Sequence, residues 1–274
     1  MLDLQTYLDR IGYLGAVRPN LKTLVDIHRA QALSVPYEAI DVLNGVPLDQ
    51  DIERIFGKIV SQRRGGWCYE TNGILGWALK EAGFKVRRAV AGVYRKDKGD
   101  STLGNHVVLL VDLGKTYLAD LGLGDALRAP LELREGLHQQ GCLTFKLEKL
   151  PDGCWRLHNH KLGTPTSFDF RDVPADEALL TAKCAALQVD PESFFVQNFE
   201  CILMKPESSV AILGRVLRFT SAQGVEKQLL GSPDHMQEVL AQHFGLTGIG
   251  IASMWPKILE RHRLVFGGED ELPD

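Results

Sequence analysis

RRGGWCYETNGILGWALKEAGFKVRRAVAGVY, residues 63–94, changes its hydrophobic period partway along. From Cys68 to Ala82, Ile74, Leu75, Ala78 and Leu79 recur at helical spacing, and Gly83 is a C-terminal stop. From Phe84 to Tyr94 the pattern is that of a strand. Upstream of this break the chain reads as helical. Leu4, Tyr7, Leu8 and Ile11 form one apolar stripe. Asn20 is an N-cap for a helix over Leu21 to Ala32, and Pro36 ends that helix by biasing Val35 away from αR. Ile52, Ile55, Phe56 and Ile59 give another amphipathic helix.

Downstream the chain reads mostly as strands. Asn105 to Asp112 and Thr116 to Asp120 are short, apolar and bounded by turn residues. Phe145, Leu147, Trp155, Leu157, Phe168 and Phe170 continue as alternating strands, which predicts a small antiparallel barrel or sandwich. Ala175 to Gln188 reads as a helix, and Phe194 to Met204, Val210 to Phe219 and Val225 to Leu230 as strands. Ser232 and Pro233 open a further helix that Gly245 ends. The acidic stretch Gly267 to Glu271 is expected to fray. Helices, then strands, then a mixed segment predict an α+β fold, not a doubly wound sheet.

Composition narrows the function classes. The chain has 274 residues, 45% apolar and 24% charged, which are ordinary globular values. A net charge of −4 argues against a general nucleic-acid binder. No apolar run approaches membrane-spanning length. The opening MLDLQTYLDRIGYLG lacks a basic region before an apolar stretch, so no secretory signal is expected. Five cysteines with no CxxC pair write neither a zinc ribbon nor a disulfide framework, and free thiols suit a reducing cytoplasm.

Four of those cysteines, at 142, 154, 184 and 201, border or lie on apolar strands and helix faces, where a free cysteine is a small hydrophobe. Cys68 differs. It follows Gly65-Gly66-Trp67 and begins a helix, whose unpaired N–H groups and dipole favour a thiolate and can hold an oxyanion. On that ground its thiol is expected to titrate below the reference of about 8.5. A thiol nucleophile needs a base and an orienting group. His106 opens an otherwise apolar strand, and Asp120 ends the next one. Paired as an antiparallel hairpin, the two strands would bring imidazole and carboxylate together at one end of a sheet.

These residues carry a family resemblance. Arg64-Gly65-Gly66-Trp67-Cys68-Tyr69-Glu70, Asn105-His106-Val107-Val108-Leu109 and Tyr117-Leu118-Ala119-Asp120-Leu121-Gly122-Leu123-Gly124 resemble, in order and spacing, the motifs of the arylamine N-acetyltransferases. Val35-Pro36-Tyr37-Glu38 is similar to their Pro-Phe-Glu segment. The resemblance implies a helical bundle over residues 1–84 carrying the nucleophile, an antiparallel β-barrel over 85–192 carrying His and Asp, and an α/β lid over 193–274. It implies Cys68 as nucleophile, His106 as general base and acid, and Asp120 as orienter. The acetyl group would pass from acetyl-CoA to Cys68 as a thioester, then to an aromatic amine or hydrazine, in ping-pong order. No metal, nucleic acid or membrane is implied. Tyr37, Val93, Gly104, Gly122, Leu123 and Gly124 would line the substrate pocket, with Gly122 and Gly124 admitting the pantetheine and pyrophosphate. Tyr37 stands where the family often has Phe, and Leu123 where it frequently has an aromatic residue, and both bear on acceptor preference. Arg64 and Glu70 are expected to pair and brace the turn before Cys68.

Other readings compete. The same three residues could serve a thiol amidase or hydrolase, or an amide synthase, and a binding module with a structural Cys68 is the non-enzymatic alternative. His158 and His160 have no third ligand at sensible spacing, so a metal site is set aside. Coenzyme A needs basic groups, for which Arg95, Lys96, Lys98, Arg128 and Lys227 are candidates.

Overall fold

The computed structural model describes residues 2–268 and 272. The frayed tail expected at Glu269 to Glu271 lies outside the described residues. The chain opens with α1 (Leu4–Ile11) and α2 (Leu21–Ser34), capped by the side chains of Asp3 and Asn20. A two-residue strand, β1 (Tyr37–Glu38), follows, then α3 (Ile40–Leu43) and α4 (Ile52–Phe56), which runs on as one π-helical turn over Gly57–Ser61. Next comes α5 (Cys68–Glu81), closed by Gly83 at φ +86°. Ile27, Ile55, Ile59, Ile74 and Leu75 pack together with Leu109 and Val111 from the following sheet. The helical layer is thus held against that sheet by a shared apolar face.

The period change at Gly83 is real. β2 (Lys85–Val93) leads to α6 (Arg95–Lys98), then to β3 (His106–Asp112) and β4 (Thr116–Ala119). After them come β5 (Leu131–Glu132), β6 (Gly136–Gln140), β7 (Leu143–Lys149), β8 (Trp155–His158) and β9 (Ser167–Phe170). These eight strands form one antiparallel sheet in the order β5-β4-β3-β2-β9-β8-β7-β6. Its terminal strands β5 and β6 are consecutive in the chain, joined only through Leu133 to Glu135. The sheet therefore curls back on itself into a nearly closed barrel. One apolar cluster fills it, joining Val108 and Leu118 from one half to Phe145, Leu157 and Phe168 from the other.

Beyond the barrel, α7 (Glu177–Val189) and α8 (Phe194–Gln197) precede β10 (Glu200–Met204), β11 (Ser209–Leu213), β12 (Val216–Ser221) and β13 (Gly224–Leu229). Then come α9 (Pro233–Val239), which runs on as a π-helical turn over Leu240–Phe244, and α10 (Ile251–Phe266). The second sheet runs β1-β10-β11-β12-β13. Its edge strand β1 comes from the N-terminal segment: Tyr37 pairs with Ile202 and Glu38 with Cys201.

Several local expectations change. Phe194 to Gln197 is helical, since an apolar run this short suits either period and Asn198 ends it. Val210 to Phe219 is two strands, because Gly214 at φ +59° turns the chain between Leu213 and Val216. The helix over residues 251–266 carries Pro256 inside it. No helix among the described residues is long and apolar enough to cross a membrane.

Candidate active site

The turn before α5 is shaped by what surrounds its glycines. A Cβ on Gly65 would lie 2.1 Å from the Pro36 carbonyl oxygen, and one on Gly66 would lie 2.7 Å from Glu70 Cβ. The backbone of residues 36–38 is laced to this turn: Gly66 N donates to Pro36 O and Glu38 N donates to Gly66 O. The lacing places Tyr37 beside Cys68, and both belong to one buried cluster with Trp67, Tyr69, Val107 and Ile202.

The expected Arg64–Glu70 pair does not form. Arg64 reaches Glu38 at 2.8 Å and Asp41 at 3.0 Å, whereas Glu70 pairs with Lys58 at 2.9 Å. Lys58 also reaches Asp41 at 2.7 Å, so Asp41 links the two cations. Burial alone would lower the Lys58 pKa, but the charges of Glu38, Glu70 and Asp41 raise it instead. Glu70 additionally accepts from the Trp67 N–H at 3.3 Å, closing the first turn of α5.

His106 and Asp120 meet as the hairpin geometry predicts. β3 and β4 pair through Leu109 and Ala119, and His106 Nε2 lies 3.0 Å from Asp120 Oδ2. Both side chains are essentially inaccessible. The other carboxylate oxygen accepts from Asn72 Nδ2 at 2.7 Å and from Gly122 N at 2.8 Å. Burial would raise the Asp120 pKa, but the His106 interaction and these two donors outweigh it and hold the carboxyl below its ordinary range. With Nε2 committed to the carboxylate, Nδ1 is the ring nitrogen left for other work.

Asn72 was not singled out in the sequence. It lies one helical turn after Cys68, so both occupy one face of α5. Besides Asp120, its amide nitrogen donates to Val107 O at 2.7 Å and its oxygen accepts from Leu121 N at 2.8 Å. It therefore ties the nucleophile's helix to β3 and to the segment after β4. The available signal was a short polar residue inside a buried helix, where it competes with the backbone and needs partners.

Cys68 is 2% exposed, and its Sγ is 4.0 Å from the carbonyl oxygen of Asn105, the residue before His106. The expected low thiol pKa is not what this setting gives. Burial pushes the thiol well up, with Cys184 and Asp120 adding to the shift, while the N–H groups of Tyr69 and Val107 act in the opposite sense.

The expected pocket residues separate into groups. Tyr37 and Gly124 line a narrow cavity of about 10 Å³, room for roughly one water, with Gln31, Thr71, Ile202 and Met204. Gly124 has φ +88°, and a Cβ there would meet Ile202 Cδ1 at 2.7 Å. The space beside Gly122 is filled by Cys68 and Asn72, not left open for pantetheine. Gly104, at φ +90°, faces Lys183 and Leu179 of α7, and its carbonyl accepts from the Tyr69 hydroxyl. Leu123 packs within the barrel core and Val93 against it. Val93 N donates to Asn105 Oδ1 at 2.8 Å.

A larger cavity of about 250 Å³ lies between barrel and second sheet, bordered by Asp125, Arg128, Cys142, His160, Lys161 and Glu207. Asp125 is held there by Arg128 at 2.7 Å, Ser209 at 2.5 Å and His160 at 3.3 Å. His158 pairs with Glu148. Among the described residues no group of three His, Cys, Asp or Glu is placed to hold a metal.

A thiol at a glycine-shaped helix start, with a His–Asp pair at one end of two neighbouring barrel strands, defines an acyl-transfer class of site. The N-acetyltransferase family model matches residues 20–249. The chain is 32% identical over 253 residues to an arylamine N-acetyltransferase of Mycobacterium tuberculosis, covering 89% of each chain. It is 29% identical to the pineal gland isozyme NAT-3 of Gallus gallus, over 90% of this chain and 94% of that one. Its fold superposes with a TM-score of 0.83 on the Mycobacterium marinum arylamine N-acetyltransferase in complex with CoA, at 29% identity, covering 94% of this chain and 98% of that one. The chain belongs to the arylamine N-acetyltransferase family and is an acyltransferase.

Proposed function

We propose that Cys68 accepts an acetyl group from acetyl-CoA as a thioester and passes it to the nitrogen of an aromatic amine or hydrazine. The observation that carries this is the His106 Nε2–Asp120 bond at the foot of α5, clamped to the same helix as Cys68 through Asn72. In the first half-reaction the Cys68 proton moves to His106 Nδ1 and the sulfur attacks the acetyl carbon. The carbon–sulfur bond to coenzyme A breaks, and the leaving thiolate takes the proton from His106. In the second, the acceptor nitrogen attacks the thioester, gives its proton to His106, and Cys68 leaves and is reprotonated. Asp120 fixes the ring orientation and stabilises the imidazolium formed in each half. First-turn N–H groups of α5 stabilise the tetrahedral oxyanion.

Two of the basic candidates for the coenzyme phosphates are committed elsewhere. Arg95 is held by Asp100, Asp152 and Asp169, and Arg128 by Asp125. The exposed Lys96 and Lys98 on α6, next to Val93, are the phosphate partners in this reading. The working division is a nucleophile-bearing segment 1–84, a barrel segment 85–192 and a covering segment 193–274. Five cysteines, all free, suit a cytoplasmic setting.

Intact mass after incubation with acetyl-CoA tests the proposal. One acetyl increment is expected, absent in Cys68→Ala and discharged by an aniline or hydrazine. No increment between pH 6 and 9 would overturn it. Discharge by water as fast as by aniline would make the protein a hydrolase.

A further inference from the structure

Four of the five cysteines are buried, but Cys142 is exposed and is not the small buried hydrophobe that its apolar neighbours suggest in sequence. It stands in the two-residue turn between β6 and β7, where Gln140 pairs with Leu143. The turn is pressed towards the second sheet: a Cβ on Gly141 would lie 2.9 Å from Glu207 Oε1, in the loop between β10 and β11. Cys142 borders the cavity of about 250 Å³ between barrel and second sheet. That volume is just short of a usual small-molecule pocket, roughly 300–1,000 Å³. It admits the acyl end of a thioester and leaves a nucleotide outside.

Two further groups meet the thiol there. Lys161 borders the same cavity, three residues beyond the end of β8, the strand paired with β7. The two chains stay together past their last paired residues, with the ring centroids of Phe145 and His160 5.6 Å apart. Lys161 is exposed and has no ion pair or hydrogen bond among the described residues. Thr220 also lines the cavity. It is 6% exposed, and its hydroxyl has no hydrogen-bond partner among the described residues. A buried hydroxyl left unpaired is costly, and an acyl oxygen placed in the cavity would satisfy it. Asp125 and Arg128, by contrast, are already committed to each other. The cavity therefore gathers an accessible thiol, a free amine and an unused donor.

We propose that this cavity is a self-acetylation site, in which Cys142 takes an acetyl group from acetyl-CoA and passes it to Lys161. The Cys142 thiolate attacks the acetyl carbon, the bond from that carbon to the coenzyme sulfur breaks, and the coenzyme leaves as its thiolate. The proton lost by Cys142 ends on the coenzyme sulfur. The unprotonated Lys161 amine then attacks the new thioester. The Cys142 sulfur leaves and takes up the proton released by nitrogen, and the product is a stable amide. The Thr220 hydroxyl donates to the acyl oxygen in both steps. One cavity holding thiol and amine makes the second step intramolecular, which sets Lys161 apart from other surface lysines. Cys68 takes no part, and the reaction is slow, so a brief incubation shows the Cys68 increment alone. Acetylation removes the Lys161 charge and leaves Glu207 to dominate the rim.

The test uses the full chain carrying Cys68→Ala, which blocks transfer through the active site. The protein is incubated with acetyl-CoA at pH 8 for hours, and acetylation at each lysine is read by peptide mass spectrometry. Lys80 and Lys85, exposed on α5 and β2, are references within the same sample. Lys161 is expected to be acetylated at least tenfold faster than either. Adding Cys142→Ser should bring it to within threefold of them. Adding Lys161→Arg should instead leave an acetyl group on Cys142 that neutral hydroxylamine removes. A Lys161 rate no higher than the references, a rate unchanged by Cys142→Ser, or no hydroxylamine-labile acetyl group in Lys161→Arg overturns the proposal. None of these outcomes bears on the Cys68 reading.

Discussion

Gly122 lies against the nucleophile itself: a Cβ built there would be 2.6 Å from Cys68 Cβ and 2.7 Å from Cys68 Cα. The contact joins the loop after β4 to the first residue of α5, and Gly122 N also donates to Asp120. Backbone on one side and a helix start on the other leave no soft neighbour to yield. Gly122→Ala should therefore cost about 1–3 kcal/mol in urea unfolding through overpacking. It should also slow acetylation of Cys68 by about 100-fold, because displacement of the thiol by a fraction of an ångström spoils the reacting geometry. Unchanged acetylation would mean that the helix start moves freely, contrary to its lacing to residues 36–38.

The buried thiol makes a second prediction. Since burial pushes Cys68 up, its thiolate forms near neutrality only by handing the proton to His106. Alkylation by iodoacetamide at pH 7 should be slowed on the order of 100-fold in His106→Gln. The pH inflection of that variant should lie above the ordinary thiol value of about 8.5. Identical profiles for the two proteins would remove His106 from the reaction.

Lys58 is 8% exposed and holds Asp41 and Glu70. Lys58→Met leaves those carboxylates with Arg64 as the nearest cation and strands negative charge behind the first turn of α5. A loss of about 3–5 kcal/mol is expected, as for removal of one partner from a buried ion pair. Chemical denaturation at pH 7 measures it, and a loss below about 1 kcal/mol would place the network in effectively high dielectric.

His28, fully buried on α2, supplies a pH dependence. Burial pushes its pKa down to about 4, although the Asp120 charge acts in the opposite sense. In the unfolded chain it titrates near 6.5. Between these values the unfolded state binds the extra proton, so stability is complete above about 6.5 and is lost as pH falls towards 4. The loss is roughly 3 kcal/mol. Urea unfolding of the original protein and of His28→Leu, at pH 7.5 and pH 4, should differ in pH response by that amount. Parallel responses would show that His28 is not kept neutral.

The chain announces the parts of this site that break a pattern. Gly65-Gly66 before a helical period, His106 at the head of an apolar strand and Asp120 at the end of the next all stand out against their neighbours. Their hairpin spacing was enough to pair imidazole with carboxylate. What did not show was anything created by folding between distant segments. The partners of Arg64 and Glu70 lie at Glu38, Asp41 and Lys58, on short irregular elements that periodicity resolves poorly. Asn72 looked like one more helix residue until its three partners converged from β3 and the loop after β4. The low thiol pKa followed from a helix start considered alone, and burial by α7 and β10 reverses it. Glycines were recognised as necessary, but Gly122 and Gly124 make room for Cys68 and Ile202, the protein's own atoms.

Strand β1 gives the order of events during synthesis a consequence for safety. Cys68, His106 and Asp120 have all left the ribosome before residues 200–204, the strand that pairs with Tyr37, exist. A nascent chain at that stage holds a potential nucleophile without the wall that later closes over it. At that stage the thiol lacks the burial that raises its pKa in the folded chain, so it titrates near the ordinary value of about 8.5 and is open to cellular electrophiles and oxidants. That exposure ends when β10 reaches back and pairs with its edge strand.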